Sequence, residues 1–206
     1  DFAFSGVKNM ATRKILYLFD PRCGWCYSVS DGISKLAQAA DVKLVPTGLC
    51  CRDYIMSPDW AEHAWENDRR IAKLTGLPFS ENYRQNILQQ PTNFNSFALV
   101  QALTAVQTTE PAREPEALRA FQKARYEEGL DRAKLDVLAD VLRQIGCQQA
   151  VGILKDCATE QLAKQRIADG ANLMQQVGVS GVPFVVVASG QGWRQLRTAS
   201  VWYMEV

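Results

Sequence analysis

The sequence predicts an α/β fold in which the strands of one sheet lie on both sides of a long helical block. Near the start, the apolar segment Ile15–Phe19, a helix beginning at Gly24 and the apolar segment Val42–Pro46 predict a βαβ unit. Near the end, Phe184–Val187, a tight turn and the segment Trp193–Thr198 predict a β-hairpin. Almost everything between these two parts has helical periodicity. The order of elements therefore indicates one sheet domain with an all-helical domain inserted into it.

The predicted domain boundaries follow the change from strand to helix. We assign residues 13–56 and 160–206 to the sheet domain and residues 57–159 to the inserted helical domain. Beyond the hairpin, Ala199–Val206 is predicted to be extended, without the closing helix that such a domain usually has. The predicted helices of the central block are Pro58–Leu74, Asn95–Val106, Glu114–Glu127, Leu135–Ile145, Gln148–Lys155 and Thr159–Val177.

Composition limits the classes of partner. The 206-residue chain is 47% hydrophobic, which is ample for a packed core, and its net charge is +1. This balance does not indicate binding to nucleic acid or to an anionic membrane surface. No apolar run approaches the roughly 18 residues that a membrane-spanning helix needs. Six cysteines are too few for a disulfide-stapled scaffold of this size. We therefore expect a globular protein whose partners are proteins, peptides or small molecules.

The first residues bear on location. Residues 1–9 lack both the basic start and the continuous apolar core of a signal peptide. We interpret them as a remnant of cloning that precedes a natural start at Met10. A mature secreted protein would also lack a signal peptide. The expected cytoplasmic location therefore has a periplasmic alternative, in which the chain is a processed form.

The strongest chemical signal is the tetrapeptide Cys23-Gly24-Trp25-Cys26, placed where the first strand turns into a helix. Two thiols at this spacing can close a disulfide across one helical turn and reopen it. Unpaired N–H groups and the positive end of the helix dipole would stabilise a thiolate at Cys23. Cys26, one turn later and facing inward, is placed to resolve a mixed disulfide. Gly24 permits close approach of a substrate backbone, and Trp25 offers that substrate a flat apolar surface.

Metal binding is the alternative use of such a thiol pair. A structural zinc site uses four ligands, and the remaining candidate ligands do not form a second zinc-type pair. Copper(I) can be held by two thiolates, so a copper-binding or adaptor module without turnover remains an alternative. The remaining candidates are Cys50, Cys51, Cys147, Cys157 and His63.

Two motifs carry a resemblance to a known family. The segments Asp20–Tyr27 (DPRCGWCY) and Gly178–Phe184 (GVSGVPF) together resemble the DsbA-like branch of the thioredoxin superfamily, in particular its bacterial protein-disulfide-isomerase-like members. The resemblance extends over most of residues 13 to 188 and implies a thioredoxin-like fold with an all-helical insertion. It also implies a cis peptide bond before Pro183, which would face the thiol pair. The backbone of Val182 would then be offered to a substrate strand.

The chain departs from its relatives in the groups around the thiols. Gly24 and Trp25 carry no charge, which predicts a less oxidising couple than that of DsbA. Tyr17 occupies the strand position at which thioredoxin and DsbA carry a buried acid. The nearest acid, Asp20, is a candidate proton relay, although an aspartate before a proline commonly only shapes a turn.

Other chemically capable residues are assigned structural positions. The adjacent Cys50 and Cys51 are expected to be free buried thiols, because a disulfide between neighbouring cysteines is strained. Cys147 and Cys157 are expected to be inert core cysteines. His63, the only histidine, is expected to face solvent or the interface between the domains. Aromatic residues of the helical block are expected in the core, with lining of a substrate surface as the alternative: Trp60, Trp65, Phe94 and Phe97.

These observations predict a thiol-disulfide oxidoreductase, a protein disulfide isomerase or reductase that works through the redox-active Cys23–Cys26 pair. No bound cofactor or metal is expected, and glutathione is a candidate co-substrate. A reducing cytoplasm would keep the pair as a dithiol and favour reduction or isomerisation. The alternative enzyme resembles the kappa-class glutathione transferases and hydroxychromene carboxylate isomerases, which share the inserted architecture. Those enzymes use a serine-centred glutathione site, and the intact cysteine pair argues against them.

Overall fold

A mixed sheet of four strands organises the protein. The computed structural model describes residues 14–130, 134–189 and 192–203. The strands lie in the order β2-β1-β3-β4; β1 and β2 are parallel, whereas β3 is antiparallel to both β1 and β4. The chain therefore leaves the sheet after β2 and returns to it at β3, as the sequence predicts. The strands are β1 (Lys14–Phe19), β2 (Asp41–Pro46), β3 (Phe184–Ser189) and β4 (Gly192–Leu196).

The connection from β1 to β2 contains two helices where the sequence predicts one. These are α1 (Gly24–Ser28) and α2 (Ser30–Ala39), separated at Val29. The hydroxyl of Ser28 donates to the Trp25 carbonyl at 2.6 Å, and Ser30 makes the same bond to the residue three before it. Serine side chains that bond backbone carbonyls compete with the helical ladder. The break accordingly falls between the two serines.

The block between β2 and β3 is helical, and its first helix shows how the sequence sets the boundaries. The Ser57 hydroxyl accepts the N–H of Trp60, and Gly76 ends the helix with a φ of 76°. A π-helical segment (Arg84–Leu88) and a 3₁₀ turn (Pro111–Arg113) are additional to the predicted elements. The helices are α3 (Pro58–Thr75), α4 (Glu81–Tyr83), α5 (Phe97–Thr109), α6 (Glu114–Tyr126), α7 (Leu135–Gln144), α8 (Gln148–Ile153) and α9 (Cys157–Val177).

The prediction of an extended segment over Ala199–Val206 is wrong where the structure describes it. Thr198–Trp202 forms a short helix, α10, and Val201 is completely buried. This helix packs on α2 at Gly32, where any side chain would collide with the backbone carbonyl of Val201. Tertiary packing thus overrides the weak helical propensity of valine and tryptophan. The remainder of the segment, residues 204–206, lies outside the described residues, as do residues 1–9 and Met10.

The core joins the sheet to the helical block. The main cluster combines side chains of β1 and α2, such as Ile15 and Ile33, with Leu103, Leu118 and Leu142 from α5, α6 and α7. The predicted domain boundaries at residues 57 and 159 stay a prediction. Among the described helices, none combines the length and apolar character needed to cross a membrane.

A second cluster fixes the start of α1 against the helical block. The buried ring of Tyr27 stacks on Tyr126 of α6 with 4.8 Å between centroids, and Phe79 meets it edge-on at 5.3 Å. Tyr83 of α4 completes this buried group. Aromatic pairs of this kind add to the stability from area burial alone. The helical block thereby holds the helix that carries the thiols.

Candidate active site

The loop after β1 places the two thiols at the start of α1. Cys23 is the residue that caps the helix; its backbone N–H donates to Asp20 at 3.1 Å, and its side chain is half-buried. Cys26 lies in the first turn and is completely buried. Both cysteines are free, so the structure shows the dithiol state. Because Cys26 is buried, Cys23 is the only cysteine of the pair that is partly exposed.

The two thiols differ electrostatically as well as in exposure. The pKa of Cys26 is raised well above its usual range, chiefly by burial and further by the hydrogen bond and charge interaction with Cys23. Cys26 therefore holds its proton more tightly than an exposed cysteine does. The roles of Cys23 as the attacking thiol and Cys26 as the resolving thiol stay predictions.

The second sequence motif meets the first at the sulfur of Cys23. The Cys23 Sγ donates to the carbonyl oxygen of Val182 at 3.7 Å, across 159 residues of sequence. The Val182–Pro183 peptide bond is cis, as predicted. Both residues are half-buried beside the thiol. The structure therefore brings together the two sites from which an extended substrate would be held.

Asp20 lies completely buried beneath the active-site loop. Its carboxylate accepts three hydrogen bonds, from the N–H of Arg22 at 3.0 Å, the N–H of Cys50 at 2.9 Å and the hydroxyl of Ser96 at 3.0 Å. Burial nevertheless raises the pKa of Asp20, although these donors act in the opposite direction. The charge of Asp20 also acts on the thiol of Cys26. Asp20 thus shapes the turn, and it carries a proton more readily than an exposed aspartate does.

Tyr17 stands where a buried acid is found in thioredoxin and DsbA. Its hydroxyl donates to the backbone carbonyl of Cys26 at 3.1 Å, and the side chain is completely buried. Burial raises the pKa of Tyr17 well above its usual range, and the charges of both thiols add to the shift. A neutral phenol therefore occupies this position and supports the buried cysteine.

The other cysteines only partly match their predicted environments. Cys50 and Cys51 are free, as predicted, but they are half-buried rather than buried. Burial raises the pKa of Cys50 above its usual range, and the charges of Asp20 and Cys23 contribute. Cys51 contacts the Ser96 hydroxyl at 3.2 Å, and burial raises its pKa to about 11.

The prediction of two core cysteines is right for one and wrong for the other. Cys147 is completely buried, whereas Cys157 is exposed. Cys157 is the first residue of α9, where the helix emerges from a turn. Cys157 is exposed because it lies at the end of a helix. The apolar character of cysteine does not reveal that position.

The two middle residues of the tetrapeptide contact parts of the chain that sequence spacing does not connect. Trp25 is half-buried and stacks on Trp202 of α10, with 6.5 Å between ring centroids and 22° between planes. The Trp202 indole also donates to the Ser28 hydroxyl at 2.9 Å. A side chain at Gly24 would collide with the carboxylate of Asp68 from α3. Because Gly24 has no side chain, Asp68 of the helical block can pack against it. The close approach of a substrate backbone to Gly24 stays a prediction.

The four aromatic residues expected in the core are half-buried: Trp60, Trp65, Phe94 and Phe97. Trp60 packs on Phe94 at 4.7 Å, and both border a cavity of about 280 Å³ that extends to Cys50. Trp65 lies beneath Arg84 at the edge of another cavity of about 410 Å³. Trp60 and Phe94 are thus placed beside the active-site loop. Phe97, also half-buried, lies under Lys164 instead.

Metal-ligand candidates are dispersed. His63 is exposed and contacts Asn67 of its own helix at 3.0 Å. Within the described residues, no three side chains of histidine, cysteine, aspartate or glutamate come together as a group that could hold a metal ion. Copper(I) binding by the two thiolates of Cys23 and Cys26 stays an alternative.

Several residues around the site were not singled out from the sequence. Tyr126 donates to the backbone carbonyl of Arg22 at 2.7 Å, and Asp68 is packed against Gly24. Ser96 reaches Asp20 from the helical block. No local motif marks these residues. Each is a buried polar residue in a helix of the helical block or directly before one.

Comparison with known proteins gives a consistent result. Residues 14–200 match the family described as DSBA-like thioredoxin domain. The cytosolic disulfide reductase DsbM from Pseudomonas aeruginosa superposes with a TM-score of 0.81 at 26% identity, covering 91% of this chain and 90% of that one. The same reductase with GSH gives a TM-score of 0.79 at 26% identity, with 91% of each chain covered. A candidate protein disulfide isomerase from Nitrosomonas europaea gives 0.77 at 23% identity, covering 93% and 94%. No curated protein matches the chain.

Proposed function

The chain belongs to the DSBA-like thioredoxin domain family of thiol-disulfide oxidoreductases, and on that premise we propose that it is a glutathione-coupled disulfide reductase. The observation that carries the proposal is the asymmetry of the pair. Cys23 presents a half-buried sulfur at a helix start, while Cys26 is buried with a raised pKa. Gly24 and Trp25 between them add no positive charge that would favour a strongly oxidising couple.

The proposed reaction begins at Cys23. Its thiolate attacks one sulfur of a substrate disulfide, forms a mixed disulfide and expels the other substrate sulfur as a thiolate. Cys26 then loses its proton and attacks the sulfur of Cys23. The second substrate sulfur leaves as a thiolate, and the enzyme holds a Cys23–Cys26 disulfide. The substrate has gained two electrons and the enzyme has lost them.

Two molecules of glutathione would restore the dithiol. The first attacks the sulfur of Cys23, and Cys26 leaves as a thiol after gaining a proton. The second attacks the glutathione sulfur of the mixed disulfide, which releases glutathione disulfide and the Cys23 thiolate. The similarity to a disulfide reductase described with GSH supports glutathione in this role.

We assign the proton of the resolving step to Asp20. Its carboxylate is buried, has a raised pKa and acts electrostatically on Cys26. A buried carboxylate can accept the proton as Cys26 attacks and return it as Cys26 leaves. Asp20 is therefore proposed as the relay between the buried thiol and the loop.

Substrate alignment is assigned to Val182, Pro183 and Trp25. The carbonyl of Val182 accepts the Cys23 thiol in the dithiol state, so it lies within reach of any chain bound to that sulfur. Trp25 presents a ring that is held by stacking on Trp202. Peptide and protein disulfides in extended conformation fit this arrangement. The cytosolic assignment of the reductase from Pseudomonas supports a cytoplasmic site of action.

A glutathione redox titration followed by substrate trapping tests the function. We expect the reduction potential of the Cys23–Cys26 pair to lie below the value for DsbA, which is about −120 mV. We also expect Cys26→Ala to accumulate mixed disulfides on Cys23, with Cys23→Ser as the matched control that traps nothing. Equilibration near the DsbA value would overturn the reductase assignment. Glutathione binding without disulfide reduction would favour a transferase-like enzyme. Copper in the purified protein that is lost in Cys23→Ser would favour a binding module.

A further inference from the structure

A carboxylate from the helical block lies against the redox motif. Asp68 of α3 is only 5% exposed, and one of its oxygens occupies the space that a side chain at Gly24 would need. Its other oxygen accepts the hydroxyl of Tyr83 at 2.8 Å. Gly24 directly follows Cys23. A negative charge on Asp68 would therefore lie against the residue that follows the attacking cysteine in the sequence.

The groups that face Asp68 come from two helices. Tyr83 in α4 donates to it, and Arg125 in α6 attracts it. Tyr126 in α6 lies within electrostatic range of both Asp68 and Cys23 at the start of α1. Asp68 is buried and Cys23 is half-buried on either side of Tyr126, so charges on the two groups are screened less than they are in water.

We propose that Asp68 is a positioning residue whose charge sets the redox equilibrium of the Cys23–Cys26 pair, a role that rests on the proposed reductase function. A carboxylate beside Cys23 opposes the thiolate that forms when the disulfide is reduced. It therefore disfavours the dithiol state relative to the disulfide. The charge of Asp68 therefore makes the enzyme a stronger reductant. The uncharged residues Gly24 and Trp25 do not supply such a charge.

The environment of Asp68 makes this effect depend on pH. Burial raises the pKa of Asp68 to about 7, and the Tyr83 hydrogen bond and the charge of Arg125 only partly offset that rise. Below neutrality the carboxyl is neutral and leaves the Cys23 thiolate unopposed. Above neutrality it is charged and opposes the thiolate. The reducing strength of the pair should therefore increase as Asp68 ionises, beyond the ordinary pH dependence of a dithiol.

The test is the equilibrium between the enzyme disulfide with two glutathione molecules and the enzyme dithiol with glutathione disulfide, measured from pH 6 to pH 8.5. Asp68→Asn keeps the size of the side chain and an acceptor for Tyr83 but removes the charge. We expect it to shift the equilibrium about tenfold towards the dithiol at pH 8, or about 30 mV for a two-electron couple, and little at pH 6. Tyr83→Phe, which removes a group that lowers the pKa of Asp68, should move the pH-dependent step to higher pH.

Glu114→Gln serves as the matched control, because Glu114 is another buried carboxyl on the helical block. It borders a cavity formed by Lys14 and Asp41, at the ends of the strands opposite the thiols. We expect its redox equilibrium to equal that of the wild type at every pH. An Asp68→Asn equilibrium constant within twofold of the wild type at pH 8, in folded protein, would overturn the role of Asp68 while leaving the reductase assignment intact. A pair that does not equilibrate with glutathione in either protein would overturn both.

Discussion

Two buried carboxyls at opposite ends of the sheet show how one type of group serves two purposes. Asp68 lies beside the thiols and Glu114 near the other end of the strands, and burial raises the pKa of each to about 7. Glu114 pairs with Arg166 at 2.6 Å, and that guanidinium also donates to the Leu44 carbonyl and the Thr104 hydroxyl. Asp68 has a phenol as its hydrogen-bond donor instead.

The difference lies in what each carboxyl holds in place. Glu114, through Arg166, connects α6, α9, α5 and β2, so its interactions fix helices onto the sheet. Asp68 lies against Gly24 of the redox motif, where we propose that its charge acts on the Cys23 thiolate. A buried ion pair that bridges four elements is a structural device. A buried acid held by a neutral donor retains freedom to change its protonation.

The largest expected effect separates chemistry from stability at the thiol end. Cys23→Ser should lower disulfide reductase turnover at least about a thousandfold, because the attacking sulfur is lost. Its free energy of unfolding should stay within about 0.5 kcal/mol of the wild type, because the side chain is half-buried and has one weak hydrogen bond. Insulin reduction and urea unfolding measure the two effects. Residual turnover above one per cent would contradict the assignment.

The reverse pattern is expected at the opposite end. Glu114→Ala should destabilise the protein by about 3–5 kcal/mol, because it leaves the Arg166 charge buried without its partner. Turnover per folded molecule should not change. Urea unfolding checks the first statement, and turnover normalised to the folded fraction checks the second. The double variant Glu114→Ala with Arg166→Met should recover part of the lost stability.

Asp20 tests whether a carboxyl at the thiol end takes part in proton transfer. Asp20→Asn should slow the release of a mixed disulfide from Cys23 about a hundredfold, because Cys26 loses its proton acceptor. Single-turnover release of a mixed disulfide measures this rate. Ser96→Ala is the matched control, since it removes one hydrogen bond to Asp20 and keeps the carboxyl. Equal rates in both variants would show that Asp20 only shapes the turn.

The pH dependence of stability provides a smaller difference. The pKa of Asp68 is about 7 in the folded protein and near 3.8 when exposed. The folded state keeps this proton between those values while the unfolded state loses it, so stability falls as pH rises from about 4 to 7 and changes no further above that. At about 1.4 kcal/mol per pKa unit, we expect this group to cost about 4 kcal/mol over the whole range and about 2.5 kcal/mol between pH 5 and pH 8. Urea unfolding of the wild type and Asp68→Asn at pH 5 and pH 8 measures it, and parallel pH profiles would contradict it.

The smallest effect concerns an exposed charge near Glu114. Lys43 is exposed and lowers the pKa of Glu114 through its charge. Lys43→Met should cost about 0.5 kcal/mol of stability at pH 8, where Glu114 is ionised, and nothing at pH 5. Added salt should remove the difference, because exposed charges are screened. A loss that persists in high salt would indicate lost packing of the lysine stem instead.

The sequence predicts most of the fold, and it indicates the thiols that we propose to react, because both depend on local patterns. The strand before Cys23, the cysteine spacing and the distant Pro183 each leave a short signature. Ser57 and Gly76 likewise mark the ends of α3. These features follow from the chemistry of a few neighbouring residues.

The remaining features depend on contacts between distant segments. Asp68 lies mid-helix, and nothing in its neighbours shows that it meets Gly24. The helix at Thr198–Trp202 forms because it packs against Gly32. The exposure of Cys157 likewise follows from where α9 begins. A single sequence contains no direct record of such pairings, so the predictions fail where tertiary context decides.

The stacking of Trp25 on Trp202 has a consequence for the thermodynamics of recognition. A free indole next to the thiol would sample several rotamers and would lose that freedom when a substrate arrived. The contact with α10 and the hydrogen bond from Trp202 to Ser28 restrict the ring during folding instead. The entropy of the ring is therefore largely lost before binding. In the proposed function a substrate would meet a preorganised surface, and binding would cost correspondingly less side-chain entropy.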